Sequence, residues 1–132
     1  MISRRAIFLG LAVAVISSSA LAGSYLARAS LFIGGAEKEV SVLRRRFHDK
    51  ELARALHRLA EARVKAAREM EIPPEVSRPH PHFLLALECW ERATDAASRG
   101  QHEDFLVALE KARREVQTFE ALLRKSGWHL DR

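Results

Sequence analysis

Apolar and polar positions divide the chain into one uncharged stretch and three amphipathic ones. No charged residue occurs from Ala6 to Ala27. Gly34-Gly35 then separates this stretch from a long helical pattern over Ala36 to Ile72. At about 100° per residue, its apolar positions fall on two faces. Val40, Leu43 and Phe47 share one face, and Leu52, Leu56, Leu59, Ala60, Ala67 and Met70 share a roughly opposite one. The switch falls at His48-Asp49, where Asp49 can cap a new helix and Glu51 suits its first turn. Either the helix breaks there, or one continuous helix serves two partners. A straight helix cannot bury both stripes against one hairpin. Val40, Leu43 and Phe47 are therefore expected to form a docking face that the bundle leaves uncovered, with Arg44, Arg45 and Arg46 orienting the contact. The competing account is a sharp break that folds residues 36–48 back onto the bundle.

Ile72-Pro73-Pro74 stops the helical pattern, because proline cannot donate and restricts the residue before it. Four prolines within residues 73–81 predict a stiff, extended connector. The next helix is predicted from about His82 to Ser98, with Pro81 in its first turn. Phe83, Ala86, Leu87, Trp90, Ala93, Thr94 and Ala97 line one side, and Leu85, Cys89 and Ala96 widen the apolar arc. A helix this broadly apolar is sandwiched between neighbours. Gly100 ends it. The last helix runs from about Gln101 to Lys125, with Phe105, Leu109, Ala112, Val116, Phe119 and Leu123 as a coiled-coil-like seam. The short turn makes these two helices an antiparallel hairpin. Residues 83–116 resemble a single tetratricopeptide-type hairpin in where the small residues Ala93, Gly100 and Ala112 fall, with Phe105 and Arg92 departing from that pattern. The likeness is one of geometry and implies no binding role.

The predicted fold class is all-α. It consists of an N-terminal signal or anchor helix followed by a small three-helix bundle built on the antiparallel hairpin. Residues 1–29 form the export or anchor segment, 30–48 a linker or juxtamembrane helical segment, and 49–132 the bundle.

Ser3-Arg4-Arg5-Ala6-Ile7-Phe8-Leu9 resembles a twin-arginine export signal, which pairs Ser/Thr-Arg-Arg with following apolar residues. The resemblance covers this short segment, with Ile7 and Leu9 departing from its preferred residues, and it implies export of an already folded chain. The general secretory route is the alternative. Arg4 and Arg5 would stay on the cytoplasmic side, leaving the C-terminal body outside the cytoplasm. Ala20-Leu21-Ala22 is a small-x-small processing site, and Ala27-Arg28-Ala29 is a second. The uncharged run is also long enough to be kept as a single anchor, which needs about 20 apolar residues. The body is expected to be periplasmic, free or anchored to the inner membrane.

Composition narrows the function. The chain has 132 residues, a formal charge of +5 and a pI of about 10.0, and two of its cations are the leader arginines. The body is thus mildly basic, compatible with an acidic partner or an anionic membrane surface. No basic stretch is interleaved with stacking aromatics, which excludes a nucleic-acid signature. The lone cysteine, Cys89, permits no intramolecular disulfide and reads as a buried hydrophobe. Glu88, Glu91 and Asp95 lie on a solvated strip rather than in a cleft, so no enzyme and no cofactor is expected. The topology brings His80, His82 and His129 to one pole with Glu69, Glu71 and Asp131, where a Zn or Cu site is the alternative function. The main expectation is an exported, non-catalytic accessory protein that works through a protein partner or as a homo-oligomer. Arg44, Arg45 and Arg46 are its contact residues toward that partner or toward lipid headgroups.

Overall fold

The computed structural model describes residues 3–131, with side chains described from residue 21. Ser3, Arg4, Arg5, Ile7, Phe8 and Ala20 of the expected export signal lie outside the described side chains. The chain is all-helical: α1 spans Ser3–Arg45, α2 Lys50–Arg68, α3 His80–Ser98 and α4 His102–Lys125, with a 3-10 turn at Pro74–Val76. The central helix is α3, which packs against α2, α4 and α1.

The expected three-helix bundle gains a fourth helix, because α1 runs through Gly34-Gly35 without a break. Each glycine costs a helix about 1 kcal/mol. Burial on either side outweighs that cost, since Ile33 and Ala36 are both sealed in the core and a buried isoleucine side chain contributes about 1.5–3 kcal/mol. The buried residues of α1 are Ala22, Tyr25, Ala29, Ile33, Ala36 and Leu43, with Val40 and Phe47 packed partly against the core. Tyr25 meets the start of α3 at His80 and Phe83, while Leu43 clusters with Ala93 and Ala97 near its end. Hence α1 runs parallel to α3 and antiparallel to α4.

The docking-face expectation is overturned here. Leu43 is 0% exposed, and the Phe47 ring packs at 5.4 Å from Phe105 and 4.7 Å from His102. The break at Asp49 is the reason. Its Oδ1 accepts from Leu52 N at 3.0 Å and caps α2, while its Oδ2 accepts from Arg46 at 2.7 Å. The chain reverses there, so each stripe meets the core in its own helix. Residues 30–48, expected as a linker, are therefore packed structure. In α2 the buried face is Ala53, Leu56, Ala60, Val64 and Ala67, and Leu59 is left exposed.

The proline segment is not an extended spacer. Val76 is 0% exposed within the main core cluster, and the 3-10 turn folds the connector onto it. The predicted faces of α3 and α4 are those observed except that Leu85 is exposed and Leu109 half-buried, and the Phe83 and Phe119 rings meet tilted at 5.5 Å. Gly100 takes φ +72°, which a side chain would resist. That geometry lets Gln101 N reach Ala96 O and Gly100 N reach Ala97 O, closing the end of α3.

Candidate functional site

The two seams flanking α1 differ. Toward α2, Arg63 and Glu39 form a largely buried ion pair that latches the helices together. Toward α4, the helices diverge and leave a groove of about 540 Å³. Its floor is apolar, built from Val40, Trp90, Leu109 and Val116. Trp90 lies beneath it and is 4% exposed, as the sandwiched face of α3 requires. Leu109 is the one seam residue of α4 that stays half-buried, because the groove opens over it. The rim carries Glu37, Ser41 and Arg44 from α1, and Arg113, Gln117 and Glu120 from α4. Arg113 is held in a two-pronged contact by Glu110, at 3.1 and 2.8 Å, and this keeps the Glu110 carboxyl below its ordinary range. Arg44 makes no ion pair among the described residues.

Of the six expected contact residues, only Val40 and Arg44 line this groove. Leu43 and Phe47 are core, Arg46 is tied to Asp49, and Arg45 faces the outer side of α1. The headgroup reading of the arginines also meets a distance problem. Arg44 stands seventeen residues along a continuous helix from Ala27, or about 25 Å at 1.5 Å per residue. Electrostatic attraction is screened over roughly 8 Å at physiological salt. Among the described residues, no helix is long and apolar enough to cross a membrane.

The three expected metal ligands do not assemble, and among the described residues no three or more His, Cys, Asp or Glu side chains come together as a metal site. His80 is buried and turned inward, where its Nδ1 lies 2.7 Å from the Tyr25 hydroxyl. Burial lowers the His80 pKa and raises that of Tyr25, so both stay neutral. The two share one hydrogen bond, whose donor depends on the His80 tautomer, and the buried Nε2 of His80 has no hydrogen-bond partner among the described residues. His82 instead contacts Glu115 at 2.8 Å, and His129 is exposed beside Asp131. His57 bridges α2 to α3 through Thr94 Oγ1, at 3.0 Å, in a polar seam with Glu88, Glu91 and Asp95. Burial pushes the Cys89 thiol pKa up, which disfavours the reactive thiolate.

Tyr25 and the groove itself escaped the sequence reading. Tyr25 sits inside a stretch that reads as an export segment. The groove depends on how α1 sits across α3 apart from α4, which periodicity does not encode. Compared with protein-family models, curated proteins and solved structures, the chain matches none.

Proposed function

We propose that this chain is a small exported helical accessory protein that acts without catalysis, by binding in the α1–α4 groove. Its site of action is the periplasmic side of the membrane, free or held by the N-terminal segment, as part of a larger assembly. Export rests on the twin-arginine-like Ser3-Arg4-Arg5 and the uncharged run behind it. The observation that carries the binding role is the groove, with its apolar floor over Trp90 and charged rim. Its volume falls within the range of small-ligand and peptide sites, roughly 300–1,000 Å³. The α1–α2 seam is built differently and is closed by the Arg63–Glu39 pair.

Photo-crosslinking in cells tests the reading. A benzophenone amino acid at Ser41 or Gln117, on opposite walls, is expected to give adducts by mass spectrometry. The same group at Leu59, on the exposed outer face of α2, is expected to give none. Absence of adducts from both groove positions would remove the proposal.

A further inference from the structure

Outside the groove, His80 is a titratable side chain sealed in the core: it is 4% exposed at the first position of α3. Its Nδ1 lies 2.7 Å from the Tyr25 hydroxyl, and its Nε2 has no hydrogen-bond partner among the described residues. The rings of Tyr25 and Phe83 pack at 5.5 and 5.9 Å from it. Protonation turns both ring nitrogens into donors. The phenol oxygen accepts from one of them. The other stays buried with no acceptor, and the charge stays buried with no counter-charge, which is costly. The start of a helix is also its positive end, which opposes a cation there.

No neighbouring element offers relief. Arg28 of α1, Glu69 and Glu71 at the end of α2, Glu75 and Arg78 of the connector, and His129 and Asp131 of the tail are all exposed. His82, in the same turn of α3, is engaged by Glu115 of α4 at 2.8 Å. The lowered pKa of His80 accordingly has burial as its only cause, with no charge contributing. Nor can the imidazole escape by itself. Val76 and Pro79, on the connector that leads into α3, are fully buried and fix its backbone. The side that can yield is α1, which contributes Tyr25, Ala29 and Ile33 here. By contrast, α3 holds α4 through the Phe83 and Phe119 rings at 5.5 Å and packs far more extensively on α4 and α2 than on α1.

We propose that Tyr25 and His80 form an acid-sensitive clasp: when His80 takes up a proton, residues 22–33 of α1 come away from the start of α3, while α2, α3 and α4 stay packed together. Release lets solvent reach the imidazolium. It also uncovers the Phe83 ring, against which Tyr25 and Phe32 each pack at 6.2 Å. The clasp thus controls access to an aromatic surface, and it does not depend on the groove. A released His80 protonates near 6.5, and the clasped one only below that. The clasp is therefore complete above about pH 6.5 and weakens as pH falls below it. The opening constant grows about tenfold between pH 7.5 and pH 5.5.

Hydrogen exchange by mass spectrometry on the full-length chain tests this, with rates corrected for the intrinsic pH dependence of exchange. Residues 22–33 are expected to lose about tenfold in protection between pH 7.5 and pH 5.5. At pH 5.5 they should be at least about tenfold less protected than residues 87–97 of α3, which open only when the whole chain unfolds. His80→Gln and His80→Phe, the second of which keeps a ring in the core, should each remove the pH dependence from residues 22–33. Equal protection of residues 22–33 and 87–97 at pH 5.5 would overturn the clasp, because acid would then act on the whole fold at once. So would protection of residues 22–33 that does not change with pH, or that changes just as steeply in the His80 variants. The wild-type profile decides the first two of these outcomes even where a variant fails to fold.

Discussion

Tyr25 carries more of the fold than its position suggests. Its side chain is 2% exposed, its ring meets Phe83 edge-on at 6.2 Å, and its hydroxyl is the partner of His80. His80 is buried with it, and that burial disfavours the charged imidazole and sets a pH dependence. Burial lowers the His80 pKa in the folded chain, whereas the unfolded chain protonates near 6.5. Between those values the unfolded state holds more protons, so stability rises with pH. The contribution is complete above about pH 6.5 and is lost as pH falls below it. Urea midpoints should therefore drop between pH 7.5 and pH 5.5, and His80→Gln should flatten that drop. An equally steep profile in the variant would assign the effect to another group. Tyr25→Phe should cost about 1–3 kcal/mol at neutral pH, because it leaves the buried His80 Nδ1 without its hydrogen-bond partner.

At the scale of the element, α1 was legible in the sequence but divided at the wrong place. Ala22, Tyr25, Ala29, Ile33, Ala36, Val40, Leu43 and Phe47 continue one helical stripe across Gly34-Gly35. The first three lie in or beside an uncharged run of small residues, whose composition reads as export, and the glycine pair reads as a break. Those two local signals masked the longer period. By contrast, α3 and α4 were readable almost in full. Their faces rest on large side chains such as Phe83, Trp90, Phe105 and Phe119, and their common turn rests on Gly100. The groove was not readable, because Val40, Trp90 and Leu109 come together only through the tilt of helices far apart in sequence. One consequence bears on processing. A chain beginning at Gly23 keeps Tyr25, Ala29 and Ile33, whereas one beginning at Ser30 loses the first two. Loss of a buried aromatic alone costs about 3–5 kcal/mol. The Ser30 chain should melt at least about 10 °C below the Gly23 chain by circular dichroism. Equal melting temperatures would mean that residues 23–29 add nothing to the fold.

For the whole molecule, the first question is whether the proposed export takes the twin-arginine route. A twin-arginine signal tolerates no double replacement of its arginines by lysine, whereas a general secretory signal needs only positive charge. Changing Arg4 and Arg5 to Lys should therefore hold the protein in the cytoplasm in a fractionation assay. Undiminished export would assign the general route. The second question is how the two ends of the folded body relate. The helix that buries Tyr25 against His80 at one pole is the same unbroken helix that presents Val40 and Arg44 at the groove. The Arg63–Glu39 pair ties that helix to α2 within the stretch that lines the groove. A rigid helix of this length would carry a displacement at the groove to the tyrosine socket, so spectroscopic labels at the two ends should shift together.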